Sequence, residues 1–245
     1  MTERVVHVIV QARLGSTRLP GKVLRPVLGR PLLDFQLERL ARITHPHVTA
    51  VATTVNPRDD PLVRFAIERG IPVVRGPEED VLARYALAAD ELGATVVVRV
   101  TSDCPLLDPT VVDAVIERFM VGDVDYASNT IRRTYPRGLD VEVVSADALA
   151  IASREASQGW DREHVTPFVY GHPERFRLAQ VTTDSDRSDE RWTIDTLEDL
   201  ALVERILDAL YPVDPGFGWF DVVALLDRHP DWRRLNAHVA QKGTA

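Results

Sequence analysis

The run Gln11-Ala12-Arg13-Leu14-Gly15-Ser16-Thr17-Arg18-Leu19-Pro20-Gly21-Lys22 gathers three cations, two glycines and two small hydroxyls in one stretch. Arginine offers paired N–H groups and lysine a compact point charge, so Arg13, Arg18 and Lys22 together suit an oligophosphate. Gly15 and Gly21 permit close backbone approach, and Ser16 and Thr17 add small donors. The glycine spacing matches neither a Walker A loop nor a dinucleotide fingerprint. Any one of these arginines fits a solvated turn equally well. Three cations and two glycines directly after an apolar run favour phosphate. Two aspartates complete the chemistry, since Asp103 and Asp195 each stand at the end of an expected strand. Magnesium often takes one or two carboxylates and completes its octahedron with phosphate and water. In bland readings Asp103 sits in a turn and Asp195 caps the following helix, in competition with Thr196. Taken alone, each of these bland readings is the favoured one.

The elements needed to position these groups are legible. Val5 to Val10 reads as a buried strand, and Pro31 to Leu40 as an amphipathic helix with proline at its start. Val48 to Thr54, Ile71 to Val74 and Thr95 to Thr101 read as further strands. Pro61 to Gly70, Glu79 to Leu92 and Pro109 to Met120 read as helices, with Asp108 as a cap. That alternation is the rhythm of βαβ units and an α/β fold with a mostly parallel sheet. Beyond residue 123 the pattern changes. Asp125 to Asn129, Leu139 to Val144 and Phe176 to Thr182 read as strands, and Ser145 to Ala156 and Asp161 to Gly171 as helices. Trp192 to Asp195 reads as a strand, and Thr196 opens a helix reaching Leu210. A last helix spans Asp221 to Asp227, and the end is expected to fray.

Other candidates carry competing readings. Arg75-Gly76 ends a strand, where backbone groups can reach a nucleobase edge. Arg84 can reach phosphate or pair with Asp80 at i,i+4. Asp140 and Glu142 alternate on one strand and so share a face, either turned to solvent or toward an acceptor. Arg137 would counter an anionic acceptor. His164 opens a helix, where surface packing is a full alternative.

Composition narrows the partners. The formal charge of −8 argues against a nucleic-acid binder. Cys104 is the single cysteine, which forbids an internal disulfide and fits a reducing compartment. No signal peptide or membrane span is visible, so a cytoplasmic protein is expected.

The Gln11–Lys22 run resembles the nucleotide-binding signature of sugar nucleotidyltransferases, above all the cytidylyltransferases that make CMP-activated acid sugars. The spore-coat polysaccharide type, related to the CMP-KDO and CMP-sialate synthetases, is the nearest branch. Val98 to Leu107, Pro136 to Val143, Arg162 to Pro167 and Arg191 to Leu200 resemble later motifs of that family in the same order. Ser102 stands where the branch more often has glycine. The resemblance implies a Rossmann-like, GT-A-like three-layer α/β/α sandwich in a single domain. Residues 123–189 would form an acceptor-binding and dimerisation insert, and 211–245 a helical extension. It further implies a Mg²⁺-dependent transfer of CMP from CTP to an anionic acceptor, a sugar acid or small phosphonate or carboxylate, with release of pyrophosphate. Arg13, Lys22 and Asp103 would be catalytic, and Asp103 and Asp195 would hold the metal. Nucleotide contacts would come from Ala12, Arg13, Gly15, Ser16, Arg18, Lys22, Arg75, Gly76, Arg84 and Ser102. Acceptor contacts would come from Arg137, Asp140, Glu142 and His164. A homodimer is expected, the apolar Val165, Phe168, Val169 and Tyr170 supplying part of its face. The alternatives are a nucleotidyltransferase using another base or a sugar phosphate, and a non-catalytic nucleotide-sugar-binding, glycosyltransferase-like protein. Asp103-Cys104-Pro105 lacks the Asp-X-Asp pattern of the latter.

Overall fold

A computed structural model of the chain describes residues 4–240. Its sheet is built outward from β1 (Val6–Gln11), which is buried on both faces. Val6, Val8 and Val10 enter one hydrophobic core and Ile9 the other, as alternation along a strand requires. After the loop that carries the cationic run, a small ribbon of β2 (Pro26–Val27) and β3 (Arg30–Pro31) leads into α1 (Leu32–Leu40). Then follow β4 (Val48–Thr54), α2 (Asp60–Glu68), β5 (Val73–Gly76), α3 (Val81–Leu92), β6 (Val96–Thr101) and α4 (Pro109–Val121). The second half runs through β7 (Tyr126–Ser128), β8 (Glu142–Ser145), α5 (Ala146–Glu155), α6 (Gly159–His164), α7 (Pro167–Tyr170) and β9 (Leu178–Gln180). It closes with α8 (Leu197–Leu210), α9 (Trp219–Arg228) and α10 (Pro230–Arg233).

The seven-stranded sheet has the order β5-β4-β1-β6-β8-β7-β9. Strands β5, β4, β1 and β6 are mutually parallel, and β9 is parallel to β7. Only β8 runs against its neighbours. Helices α1, α4, α8 and α9 cover one face, and α3 and α5 the other. This is the expected three-layer α/β/α fold. Several helix ends are fixed by the residues that the sequence offers for it. Asp108 accepts from Thr110 N at 2.8 Å, Ser145 caps α5, and Gly93 closes α3 in the left-handed region.

Three expectations change. Trp192 to Asp195 is not a sheet strand. A lone bridge pairs Arg191, just before it, with Arg137, and the segment then turns to Asp103, Ile194 N donating to Asp103 O at 2.9 Å. The segment therefore crosses the strand ends instead of lying beside one. The helix expected over Asp161 to Gly171 is broken into α6 and α7 at Val165, whose φ is +75°. A β-branched residue there costs on the order of 1–3 kcal/mol. The complete burial of its side chain and the Thr166 hydroxyl bond to Glu142 hold the break in place. The carboxyl-terminal extension packs more than expected. Phe217, Trp219, Val222, Leu225 and Leu226 belong to the main core, and Trp219 N donates to Asp108 at 2.6 Å. The end expected to fray lies, from residue 241 on, outside the described residues.

Candidate active site

The register that pairs Gln11 with Thr101 ends β1 and β6 side by side. The cationic loop and Asp103 therefore leave the sheet as neighbours. The loop is pinned at its root by Leu14 N, which donates to the buried Asp59 at 2.7 Å, and at its end by Gly21 N bonding Leu14 O. Gly21 takes φ +70°, a conformation that glycine adopts without cost, and so turns Lys22 back toward the strand ends. The crossing segment 192–195, fixed to Asp103 O, brings Asp195 to the same spot.

The result is a cluster centred on Lys22, whose side chain is 10% exposed. Its Nζ lies 3.0 Å from Asp103 Oδ2 and 2.9 Å from Asp195 Oδ1, and it donates to Ile194 O as well. Asp195 Oδ2 takes Arg18 at 2.8 Å and Arg191 at 2.7 Å. Asp103 Oδ1 takes the Thr101 hydroxyl at 2.6 Å. Burial pushes the Lys22 ammonium down, but the two carboxylates outweigh it and raise it above the ordinary lysine value. Burial likewise pushes the Asp103 carboxyl up, and Lys22 and Thr101 more than reverse this, leaving it below the carboxylate range. Both groups are thus held charged at neutral pH. The Cys104 thiol beside them is raised well above its ordinary value by burial and by Asp103, which makes it a packing residue and not a nucleophile.

Of the residues singled out in the sequence, Arg13, Ser16, Arg18, Lys22, Ser102, Asp103 and Asp195 line one cleft at the carboxyl end of the sheet. Thr17, a small donor of the same loop, lines it as well, and Gln11, Thr101 and Glu163 line it without having been assigned there from the sequence. Glu163 arrives because Thr166 bonds the buried Glu142 and so fixes the broken helix against the sheet.

The other candidates do not line this cleft. Ala12 is buried and bonds Ala52 O through its amide. Gly15 packs near Arg58 and Glu78. Arg75 is spent on Thr54 O, Asn56 O and Asp60. Arg84 is fully buried and turned inward, donating to the carbonyls of Pro77 and Glu78, and Gly76 leaves room for its stem. The i,i+4 pair with Asp80 does not form; Asp80 caps Ala83 and pairs with Arg162. Asp140 and Glu142 part ways: Asp140 takes both nitrogens of Arg133, while Glu142 is buried with Arg99, Tyr126 and Thr166. His164 packs on Trp160 at 3.7 Å between ring centres. Arg137 lines a second cavity with Arg191, Trp192 and Asn236. Burial, with Arg133 and Arg191 nearby, lowers the Arg137 guanidinium below its ordinary value, a setting that favours an anionic neighbour.

Among the described residues no group of three or more histidine, cysteine, aspartate or glutamate side chains forms a ready cation cage. The two facing oxygens of Asp103 and Asp195 fit instead an ion that takes its remaining ligands from phosphate and water. The donors are hard oxygens, as magnesium requires.

Comparison with known proteins identifies the family. The cytidylyltransferase family model matches residues 7–214. The spore coat polysaccharide biosynthesis protein SpsF of Bacillus subtilis is 35% identical over 91% of this chain and 94% of its own length. The structure of a cytidylyltransferase from Leptospira borgpetersenii superposes with a TM-score of 0.89 at 30% identity, covering 99% of each chain. A CMP:2-keto-3-deoxy-manno-octonic acid synthetase, solved in complex with CTP, shares the fold at a TM-score of 0.63 and 18% identity, covering 83% of this chain and 98% of its own. The residues 7–214 matched by the model include the whole cationic loop and both aspartates, and this chain belongs to the cytidylyltransferase family.

Proposed function

We propose that the chain transfers CMP from CTP to an oxygen of a small anionic acceptor and releases pyrophosphate, with Mg²⁺ as its cofactor. The observation that carries this reading is the meeting of the cationic loop with two strand-end carboxylates around Lys22. Arg13, Arg18 and Lys22 bind the triphosphate and orient its α-phosphorus. An acceptor oxygen attacks that phosphorus as the bond to the bridging oxygen of pyrophosphate breaks. The same three cations then neutralise the charge gathering on the departing group. Asp103 and Asp195 would hold the metal, which supplies Lewis acidity at the α-phosphate. Arg191, bonded to both Asp195 and the buried Asp199, keeps the second carboxylate from turning away.

The acceptor is a sugar acid or a small phosphonate or carboxylate. Arg137 and Asp140 would serve it from the segment leading into β8. Glu142 acts by holding Thr166 and so fixing α6, and thereby Glu163, on the cleft wall, while His164 would serve the acceptor from α6 itself. The protein works as a homodimer in this reading. The test is pyrophosphate release with each of the four nucleoside triphosphates and a panel of sugar acids and phosphonates. CTP with an acid acceptor should turn over; turnover with UTP or a sugar phosphate alone would overturn the proposal.

A further inference from the structure

The Lys22 ammonium has three N–H groups and all three are taken, by Asp103 Oδ2, Asp195 Oδ1 and the Ile194 carbonyl. An ammonium so placed has no donor left for phosphate. The carboxylates are equally committed. Asp103 Oδ1 holds the Thr101 hydroxyl and the Cys104 thiol, and Asp195 Oδ2 holds Arg18 and Arg191. The oxygens that remain for a cation are the two that face Lys22 across 3.0 and 2.9 Å. A magnesium ion bonds its oxygens at about 2.1 Å, so an ion shared by these two on the side that they turn toward Nζ would stand on ground that Nζ holds. Two cations cannot share it.

We propose that Lys22 and the divalent cation are alternative occupants of the place between Asp103 and Asp195, exchanged when triphosphate binds. The inference rests on the metal assignment above and adds an order to it. Incoming triphosphate draws the ammonium off the carboxylates, and the cation takes its place. Lys22 sits at the start of a short helical turn behind Gly21, on a flexible four-carbon stem, so its tip can move while the loop stays. Metal alone must displace an internal salt bridge, and triphosphate alone must take from Asp103 its one cation and from Asp195 one of three. Each therefore strengthens the other's binding, and the coupling is reciprocal. The same lysine keeps the two aspartates from repelling one another until substrate arrives.

The test is Mn²⁺ binding to the full chain without nucleotide, read by electron paramagnetic resonance of the free ion. Lys22→Met and Lys22→Gln, whose tips differ, should each bind Mn²⁺ about tenfold or more tightly than the wild type, within the usual range of coupling between sites. Arg18→Met is the control for net charge. It removes a cation from Asp195 but from the oxygen that does not face Lys22, so its gain should be clearly smaller. Unchanged or weaker binding in both Lys22 variants, with circular dichroism as in the wild type, would overturn the exchange, as would an equal gain in Arg18→Met. The underlying metal assignment fails differently. Adding Asp103→Asn to Lys22→Met should abolish the gained affinity, and if Mn²⁺ binds as before, the ion is not at this pair.

Discussion

The two carboxylate oxygens of Asp103 have separate partners, and this makes the residue a clean probe. Oδ1 accepts from Thr101 within the fold, while Oδ2 faces Lys22 and the cleft. Asp103→Asn retains shape and the Thr101 bond but loses the charge. Its kcat in pyrophosphate release should fall about 10²–10³-fold, the usual cost of one transition-state interaction, with circular dichroism unchanged. Near-native kcat at limiting Mg²⁺ would remove Asp103 from the metal site. The position of Asp103, like that of Arg13, Arg18 and Lys22, was legible because each follows a strand whose carboxyl end faces one side of a parallel sheet. Arg84 was not legible in this way. Its spacing from Asp80 marks a shared helix face, but a spacing does not reveal that Arg162, distant in sequence, is the partner Asp80 takes. Nor does it reveal that Arg84 serves two carbonyls in the loop before α3.

Helix α8 begins with a capping box, Thr196 accepting from Asp199 N at 3.3 Å while the Asp199 carboxylate accepts from Thr196 N at 3.0 Å. That carboxylate is fully buried, pairs with Arg191 at 2.8 Å and takes Asn236 from beyond α10. Burial pushes it up, but the bonds from Arg191 and Asn236 hold it below the ordinary carboxylate value. Such a group stabilises the fold above its unfolded pKa, and this contribution is lost as pH falls through the lowered folded one. Asp199→Asn should cost about 3 kcal/mol at pH 7, since breaking a buried pair strands the remaining charge. Urea unfolding should show the gap to wild type narrowing once pH drops below about 4. A gap that stays constant with pH would mean the charge is not what Asn removes. The capping residue Thr196 was readable from sequence. The Arg191 clamp was not, because it depends on Asn236 from beyond α10, which no local pattern links to Arg191. The strand expected over 192–195 failed for a related reason: Val-like apolar spacing does not distinguish pairing along a strand from crossing over strand ends.

Gly138 joins the acceptor-side segment to that crossing. Its φ is +104°, and a Cβ there would meet the Trp192 and Thr193 backbone at 2.7–2.8 Å. Gly138→Ala should therefore lower stability by about 1–3 kcal/mol in urea unfolding and reduce turnover with it, since Asp195 rides on the displaced segment. A variant that matched wild type in both would show that the crossing tolerates movement.

The two cores, one on each side of the sheet, also bear on assembly. Val165, Phe168 and Val169, expected to face a second subunit, lie in the core that α3 and α5 share, and only Tyr170 of that group is exposed. Phe168 packs against Phe176 with ring centres 6.2 Å apart. The apolar pattern over 165–170 records internal packing, which periodicity cannot tell from an interface. Light scattering at micromolar concentration should still give the mass of two chains, as the proposed homodimer requires, and a clean monomer would end that part of the reading. Phe168→Glu does not probe the interface. It puts an unpaired carboxylate into the core and should lower stability by several kcal/mol whether the chain is dimeric or not. Tyr170→Glu is the matched partner, since its side chain reaches the surface beside the same helix. It should leave the unfolding midpoint nearly unchanged and, if this face joins the two chains, shift the scattering mass toward one. A Phe168→Glu protein that melts like wild type would mean instead that the side chain can leave the core, and with it that α7 is not packed as described.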